Sequence, residues 1–505
     1  MSGAEHRKSV IVIGAGLGGM SAAIMLARAG FQVTLLEKNA HVGGKLNQLQ
    51  TKGFSFDLGP SIFTLPEIFR PVFEGDGRRL EDYVTLQRVD PQWRNFFEDG
   101  VVVDLWEDPE RMHTELERFG PQVFGEYKDF LAYSRRQYEI LERGYLRHGF
   151  DTLFQFFRFY GWKEARDLDY VRSMSGSIYN RLSNRYLRDI FEYFIKYVGS
   201  SALDSPAFMN LMPTIQMDFG LWYVAGGLYQ LGHAFRRRLE ETGVTLCLEH
   251  EVQRIEYSGS TATGVQFRDS KGDLRTLAAD FVVSNMEVIP AMQRLLRSPA
   301  SVMKKLRRFE PSCSGIVLHL GLDRVYTQLA HHNFFYSADL HEHFRRVFRD
   351  KKLPDDPTIY VVAPTRSDPS QAPAGCDNIK LLPHIPPLDE RNLYTQEDYI
   401  ALKELCLDKL ERMGLTDLRR HIVVEDFWTP FDIETRYASN RGSIYGVVCD
   451  RRRNFAFKAP KRSRQFHNLF FVGGSVNPGA GMPMVTLSGQ HVARMIIEQS
   501  AKGKS

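Results

Sequence analysis

The feature that most constrains this chain is a glycine turn near its start: residues 10–45 read VIVIGAGLGGMSAAIMLARAGFQVTLLEKNAHVGGK. Residues 10–13 are apolar and few enough for a buried parallel strand, and Gly14, Gly16 and Gly19 then open a helix running to about Ala29. Gly14 permits the tight turn and Gly16 lets the backbone approach a diphosphate. Gly19, followed by small Ala23, lets helix and strand pack closely. The intervening Ala15, Leu17 and Gly18 complete a loop whose N–H groups face the phosphates. The positive helix end contributes roughly 0.3 to 2 kcal/mol beyond those hydrogen bonds. A second strand over residues 32–36 leads into Glu37 and Lys38, about 20 residues on, where a carboxylate accepts hydrogen bonds from a ribose diol. A carboxylate there repels a 2′-phosphate, so the unit is expected to hold a dinucleotide other than NADP.

With 505 residues and 43% hydrophobic content, the chain can bury a large core and divide into two or more domains. Its formal net charge of +4 is close to balance and no nucleic-acid-binding motif is present, so no nucleic acid partner is expected. Cys247, Cys313, Cys376, Cys406 and Cys449 are scattered and never form a CxxC pair, which reads as reduced, structural thiols of a cytoplasmic protein. His341 and His343 have the spacing to share a strand face. Their context, DLHEHFRR, reads instead as an exposed helix start without a third ligand, so no metal is expected. No segment approaches the roughly 18 to 20 uninterrupted apolar residues of a membrane-spanning helix.

The expected architecture is α/β: a discontinuous Rossmann-type nucleotide-binding domain, an α+β substrate domain and an inserted helical layer. The nucleotide-binding domain takes residues 1–108, 216–295 and 441–505. Residues 109–215, mostly helical in pattern with many aromatic and basic residues, form the layer. Residues 296–440, with strand candidates at 315–321, 358–363 and 378–382 and a helix near 396–413, form the substrate domain on an open sheet. Between 227 and 289 a helix to Glu241 is followed by strands near 244–248, 251–257, 263–267 and 280–284. Residues 468–499 repeat the opening logic: a strand, a glycine turn at Gly473 and Gly474, and a helix starting around Pro483 and Met484 that brings backbone amides to the cofactor.

Gly43, Gly44 and Lys45 resemble the glycine doublet and basic residue that follow the ribose-binding glutamate in flavin amine oxidases and carotenoid desaturases, which favours FAD over NAD. Longer stretches carry the same likeness. They are FDLGPSIFTLPEIF from Phe56, DYVTLQRVDPQWRNFFEDG from Asp82, FIKYVGSSALDSPA from Phe194, LWYVAGG from Leu221, QLAHHNFFY from Gln328, LPDDPTIYVV from Leu353, NRGSIYGVV from Asn440 and the closing GGSVNPGAGMPMVTLSG. The chain thus resembles the carotenoid desaturase-type flavoproteins, the carotenoid/retinoid oxidoreductase family, over nearly its whole length. The resemblance implies FAD and adds Pro60, Ser61 and Val252 to the expected cofactor contacts.

Members of that family divide by reaction. Desaturases typically end in a His-Pro-Gly-Ala-Gly-Ile-Pro-Gly turn, whereas this chain has Asn477, Pro478, Gly479, Ala480, Gly481, Met482, Pro483 and Met484, similar to the oxygenases. The resemblance therefore implies oxidation, with molecular oxygen, of the terminal methyl of a thirty-carbon carotenoid of the 4,4′-diaponeurosporene type to an aldehyde, as in staphyloxanthin-like pigment synthesis. The alternative is a desaturase on the same scaffold.

At ~0.8 kcal/mol per apolar carbon, about thirty carbons favour a hydrocarbon phase over water by on the order of 20 kcal/mol, so such a substrate stays in the bilayer. The enzyme is then expected to dock peripherally on the cytoplasmic face of the cell membrane, in contact with other carotenoid-pathway enzymes. YLRHGFDTLFQFFRFYGW, residues 145–162, is the expected contact: Phe150, Leu153, Phe154, Phe156, Phe157, Phe159 and Tyr160 mingle with Arg147 and Arg158. An ordinary core helix is the competing reading. Flavin chemistry demands little of titrating side chains. His331 and His332 are the candidates for a direct role, though adjacent strand residues point to opposite faces. Glu287 and Arg441 read equally as structural contacts.

Overall fold

The computed structural model describes residues 7–502, apart from the side chains of 162, 163, 165 and 166. Five parallel strands form its first sheet in the order Leu469–Phe471, Phe281–Ser284, Ser9–Ile13, Gln32–Leu36, Thr245–Cys247. The central strand is buried on both faces, which is why it reads as an unbroken apolar run. Its Val12 pairs with Leu35 on one side and Val283 on the other. The strands come from three separated stretches of chain, so the sheet is stitched together across more than 400 positions of sequence. Two helices follow its outer logic. The opening helix Leu17–Arg28 and the closing helix Met482–Lys502 pack together through Ala22, Ala23 and Gly489, with Ser21 Oγ donating to Thr486 O at 2.9 Å. These small residues let the backbones approach.

The second sheet has eight strands, ordered Ile422–Trp428, Val317–Leu322, Asp377–Ile385, Ile359–Val362, His332–Phe335, Trp93–Phe96, Val102–Leu105, with Ser314–Gly315 paired beside the path. All neighbours are antiparallel except His332–Phe335 against Trp93–Phe96. Alternation along His332–Phe335 sends its side chains to two different cores. Phe335 stacks on Phe96 at 4.5 Å and joins Tyr399, Leu402, Cys406 and Leu410 of the helix Gln396–Arg412. Phe334 stacks on Trp93 at 4.9 Å and joins Phe191, Tyr193 and Phe194 of the helical layer. One sheet face is therefore sealed by a single helix, the other by an aromatic-rich helical insertion. The edge hairpin Trp93–Leu105, within residues 1–108, packs with this second sheet rather than with the first.

Two expectations from sequence are corrected here. The helix Leu340–Phe344 forms, capped by Asp339, but His343 is buried, because its ring packs on Tyr193 and Phe344. In the aromatic helix Leu153–Asp167, Phe156 and Tyr160 are also buried, filling the core. Phe154, Phe157 and Phe159 are the exposed members at 74%, 39% and 45%, with Arg147 and Arg158 exposed nearby. Thr152 and Gln155 start this helix with a reciprocal capping box. Among the described residues, no helix is long and apolar enough to cross a membrane.

Candidate cofactor and substrate site

The glycine turn lies at the carboxyl end of the central strand, where ligands of open parallel sheets bind. Gly14 N donates to Leu36 O at 2.8 Å and Gly43 N to Ala15 O at 2.8 Å, and Gly16 pairs with Gly43 as an isolated parallel bridge. The two glycine segments thus form one surface. Helix carbonyls cannot reach the amides of Gly16, Leu17 and Gly18 at the helix start. The next amide, that of Gly19, donates to Asn285 Oδ1 at 3.0 Å. A Cβ on Gly16 would run into Asn285 Nδ2. One on Gly18 would fall 2.9 Å from Asn285 Oδ1, 3.0 Å from Val485 O and 3.1 Å from Gly473 N. Such a cradle, which any side chain would fill, suits a diphosphate lying against backbone amides. Asn285 lies just beyond the strand Phe281–Ser284, and the sequence marks it only by its place at the end of AADFVVSN.

Glu37 is buried at 5% exposure directly beside the turn. Its Oε2 accepts from Ala15 N at 2.7 Å, and its Oε1 accepts from Asn39 N and Nδ2 at 2.9 Å each. A carboxylate offers about four acceptor positions, so capacity remains for a ribose hydroxyl. Lys38 points elsewhere, donating to Thr435 O at 3.1 Å. Val252 lies in the strand Glu251–Ser258, half-buried, just after His250 N bonds Glu37 O at 2.8 Å. Pro60 and Ser61 occupy a half-buried loop anchored by Lys380, whose Nζ donates to Asp57 O at 2.9 Å and Gly59 O at 2.6 Å. Burial pushes Lys380 down to about 8.

The carboxy-terminal turn meets this surface from the other side. Gly473 N donates to Ser488 Oγ at 2.9 Å, and Pro483 and Met484 form the first turn of the closing helix. A Cβ on Gly446 would sit 2.7 Å from Gly474 C, so residues 445 and 446 press on that turn. Lys45 Nζ donates to Ser443 O at 3.0 Å and Ile444 O at 2.9 Å and faces Glu287 Oε1 at 3.4 Å. Burial lowers Lys45 and raises Glu287, each partner opposing the shift of the other. Arg441, by contrast, pairs with Asp389 at 2.8 Å and serves its own loop.

Beside this turn lies a buried aromatic box on the inner face of the second sheet. His332 stacks on Trp93 at 4.9 Å and shares a 2.9 Å hydrogen bond between Nδ1 and the Tyr360 hydroxyl. His331 lies one residue outside its strand, where the pleat no longer separates neighbours. The two imidazoles consequently touch, with centroids 4.4 Å apart, contrary to the opposite-face expectation. His331 Nδ1 bonds Ser367 Oγ at 2.7 Å. Burial holds both rings neutral, pushing His331 down to about 3 and His332 well below its usual value.

A family model for flavin containing amine oxidoreductases matches residues 17–497. The chain is 57% identical over 494 residues to 4,4′-diapolycopene oxygenase of a Methylomonas species, covering 98% of this chain and 99% of the relative. It is 48% identical over 499 residues to 4,4′-diaponeurosporene oxygenase of Staphylococcus aureus strain Mu50, covering 98% and 99%. Among solved structures, an oxidoreductase from Methanosarcina mazei superposes with a TM-score of 0.63 at 16% identity, covering 96% of this chain and 100% of that one, a likeness of fold.

Proposed function

The chain belongs to the flavin containing amine oxidoreductase family, and on that premise we propose that it oxidises the terminal methyl of a C30 carotenoid to an aldehyde. The observation that carries this reading is full-length identity of 57% and 48% to two oxygenases of such carotenoids. The flavin is proposed to be FAD; the spare acceptor capacity of Glu37 beside the turn and the helix-start amides of Gly16, Leu17 and Gly18 support a ribose and a diphosphate there. Gly43, Gly44, Lys45, Pro60, Ser61, Val252, Gly473, Gly474, Pro483 and Met484 would complete its enclosure, and Asn285 would fix the turn beneath it.

Bound FAD supplies two-electron redox chemistry and reactivity with oxygen. The net conversion, R–CH3 + O2 → R–CHO + H2O, balances without a further reductant. The protein's share is positioning. Trp93, Tyr193, Phe194, Phe334 and Tyr360 offer a water-excluding apolar wall for a polyene end next to the Gly474 turn. His331 and His332, neutral and buried, can hold hydrogen bonds there without introducing charge. Delivery from the bilayer is proposed to use the exposed face of Phe154, Phe157 and Phe159 with Arg147 and Arg158, on the cytoplasmic side of the membrane.

Co-expression with a diaponeurosporene-producing pathway in a colourless host, followed by mass analysis of the pigment, tests the reaction. A pigment carrying a carbonyl is expected; loss of hydrogen without gain of oxygen would make the chain a desaturase.

A further inference from the structure

Lys196 stands inside the aromatic box. Its Nζ lies 3.7 Å from the ring centroids of both Trp93 and Phe334, 4.2 Å from that of Tyr360 and 5.2 Å from that of Tyr197. The side chain is 4% exposed, and among the described residues its amine has no hydrogen-bond partner. Three neighbouring polar atoms share that condition: Tyr197 OH, His332 Nε2 and His384 Nε2. Such orphaned groups are costly, because each gives up hydration without replacement. Four in one cluster point to a ligand with a polar end. Contacts with aromatic faces attract a cation too weakly to offset burial of an ammonium without a counter-ion. Burial accordingly holds Lys196 well below its usual value, and the neutral amine is the nucleophilic form.

The box adjoins the cofactor turn through Tyr445. A Cβ on Gly474 would lie 3.3 Å from Tyr445 O, while the Tyr445 ring packs against Gly199 and lies 6.0 Å from His384. The segments that build the box, around Trp93, Lys196, His332, Tyr360 and Tyr445, are five of the stretches on which the family likeness rests.

We infer that this box receives the oxygenated end of a polyene aldehyde and that Lys196 holds it as a reversible imine. This rests on the carotenoid-oxidation reading, which supplies the aldehyde. The Nζ lone pair attacks the aldehyde carbon, forming the C–N bond, and a proton passes from nitrogen to oxygen to give a carbinolamine. Loss of one water breaks the C–O bond and leaves C=N; hydrolysis restores amine and aldehyde. No electrons are gained or lost. Tyr197 OH and His332 Nε2, which have unused hydrogen-bonding capacity, would move the proton, and the aromatic walls match a conjugated chain.

The test uses the purified flavin-loaded enzyme, retinal as the polyene aldehyde and cyanoborohydride to trap imines, followed by peptide mapping. Lys196 should carry the adduct about tenfold or more above exposed lysines, whose amines are protonated at neutral pH. Lys196→Arg, checked for retained flavin absorbance, should lose it. Labelling of Lys196 no greater than that of surface lysines would overturn the inference, and it needs no variant to fold. Pigment analysis separates the two readings: carbonyl-bearing pigment without a Lys196 adduct sinks only the imine, whereas absence of any carbonyl product sinks the oxidation reading itself.

Discussion

The glycine cradle and the aromatic box face each other across residues 445 and 446, yet they are built in opposite ways. The cradle is backbone: Gly16, Gly18, Gly43 and Gly473 meet because no side chain intervenes, and its amides are presented by the start of one helix. The box is side chain: Trp93, Lys196, His332, Phe334 and Tyr360 arrive from four remote stretches and meet by volume. A backbone site tolerates no added atom but needs little surrounding bulk. A side-chain site depends on the whole core around it.

Substitutions can break that contrast, and the largest effect on flavin content is expected at Gly16. Gly16→Val drives a side chain into Asn285 and blocks backbone approach to the diphosphate, so retained flavin should fall to about a tenth or less at an overpacking cost of about 1–3 kcal/mol. The readout is flavin absorbance per polypeptide after gel filtration. Trp93→Ala should do the converse, costing about 3–5 kcal/mol of stability in denaturant unfolding while the folded fraction keeps its flavin. Should Trp93→Ala strip the flavin selectively, the two regions are not separable.

The box side also titrates. Burial among Glu192 and the surrounding core pushes Asp189, on the helix Arg185–Tyr193, up to about 7. The unfolded chain ionises first, so stability falls as pH rises from about 4 to 7, by at most about 4 kcal/mol at 1.4 kcal/mol per unit. Asp189→Asn should flatten this slope in thermal melts and raise Tm at pH 8; an unchanged slope would remove Asp189 as its source. Glu37→Gln weakens a charge-assisted hydrogen bond set and should cost about 1.5–3 kcal/mol of flavin affinity, read by titrating the apoprotein. The smallest change in stability is expected on the outer face. Phe154→Asp with Phe157→Asp should abolish liposome co-sedimentation with Tm nearly unchanged, whereas Phe156→Asp should unfold the layer.

The same contrast explains what the sequence revealed. The opening unit was legible because strand, turn, helix and Glu37 are local, and their spacing is set by backbone geometry alone. The parallel strand at 281–284 and the closing strand and helix carried similar local patterns. Asn285 was not legible, because its bond to Gly19 spans 266 positions and nothing local marks an asparagine at a strand end as a clamp. Nor was the phase of the aromatic helix: with aromatics on every side of LFQFFRFY, only the packed neighbours decide that Phe156 turns in and Phe154 out. Lys196 is not legible inside FIKYVGSS, since a lysine between aromatic residues reads as a solvated face until the second sheet is placed over it.

We propose that the amino-terminal glycines and Glu37 hold FAD beside the aromatic wall. Releasing the cofactor from natively purified protein by heat and weighing it by mass spectrometry tests this most directly. FAD at about one per chain is expected from the unaltered protein, and a large loss from Gly16→Val. Protein that yields FMN, a nicotinamide dinucleotide or no cofactor, while still converting the carotenoid, would contradict it.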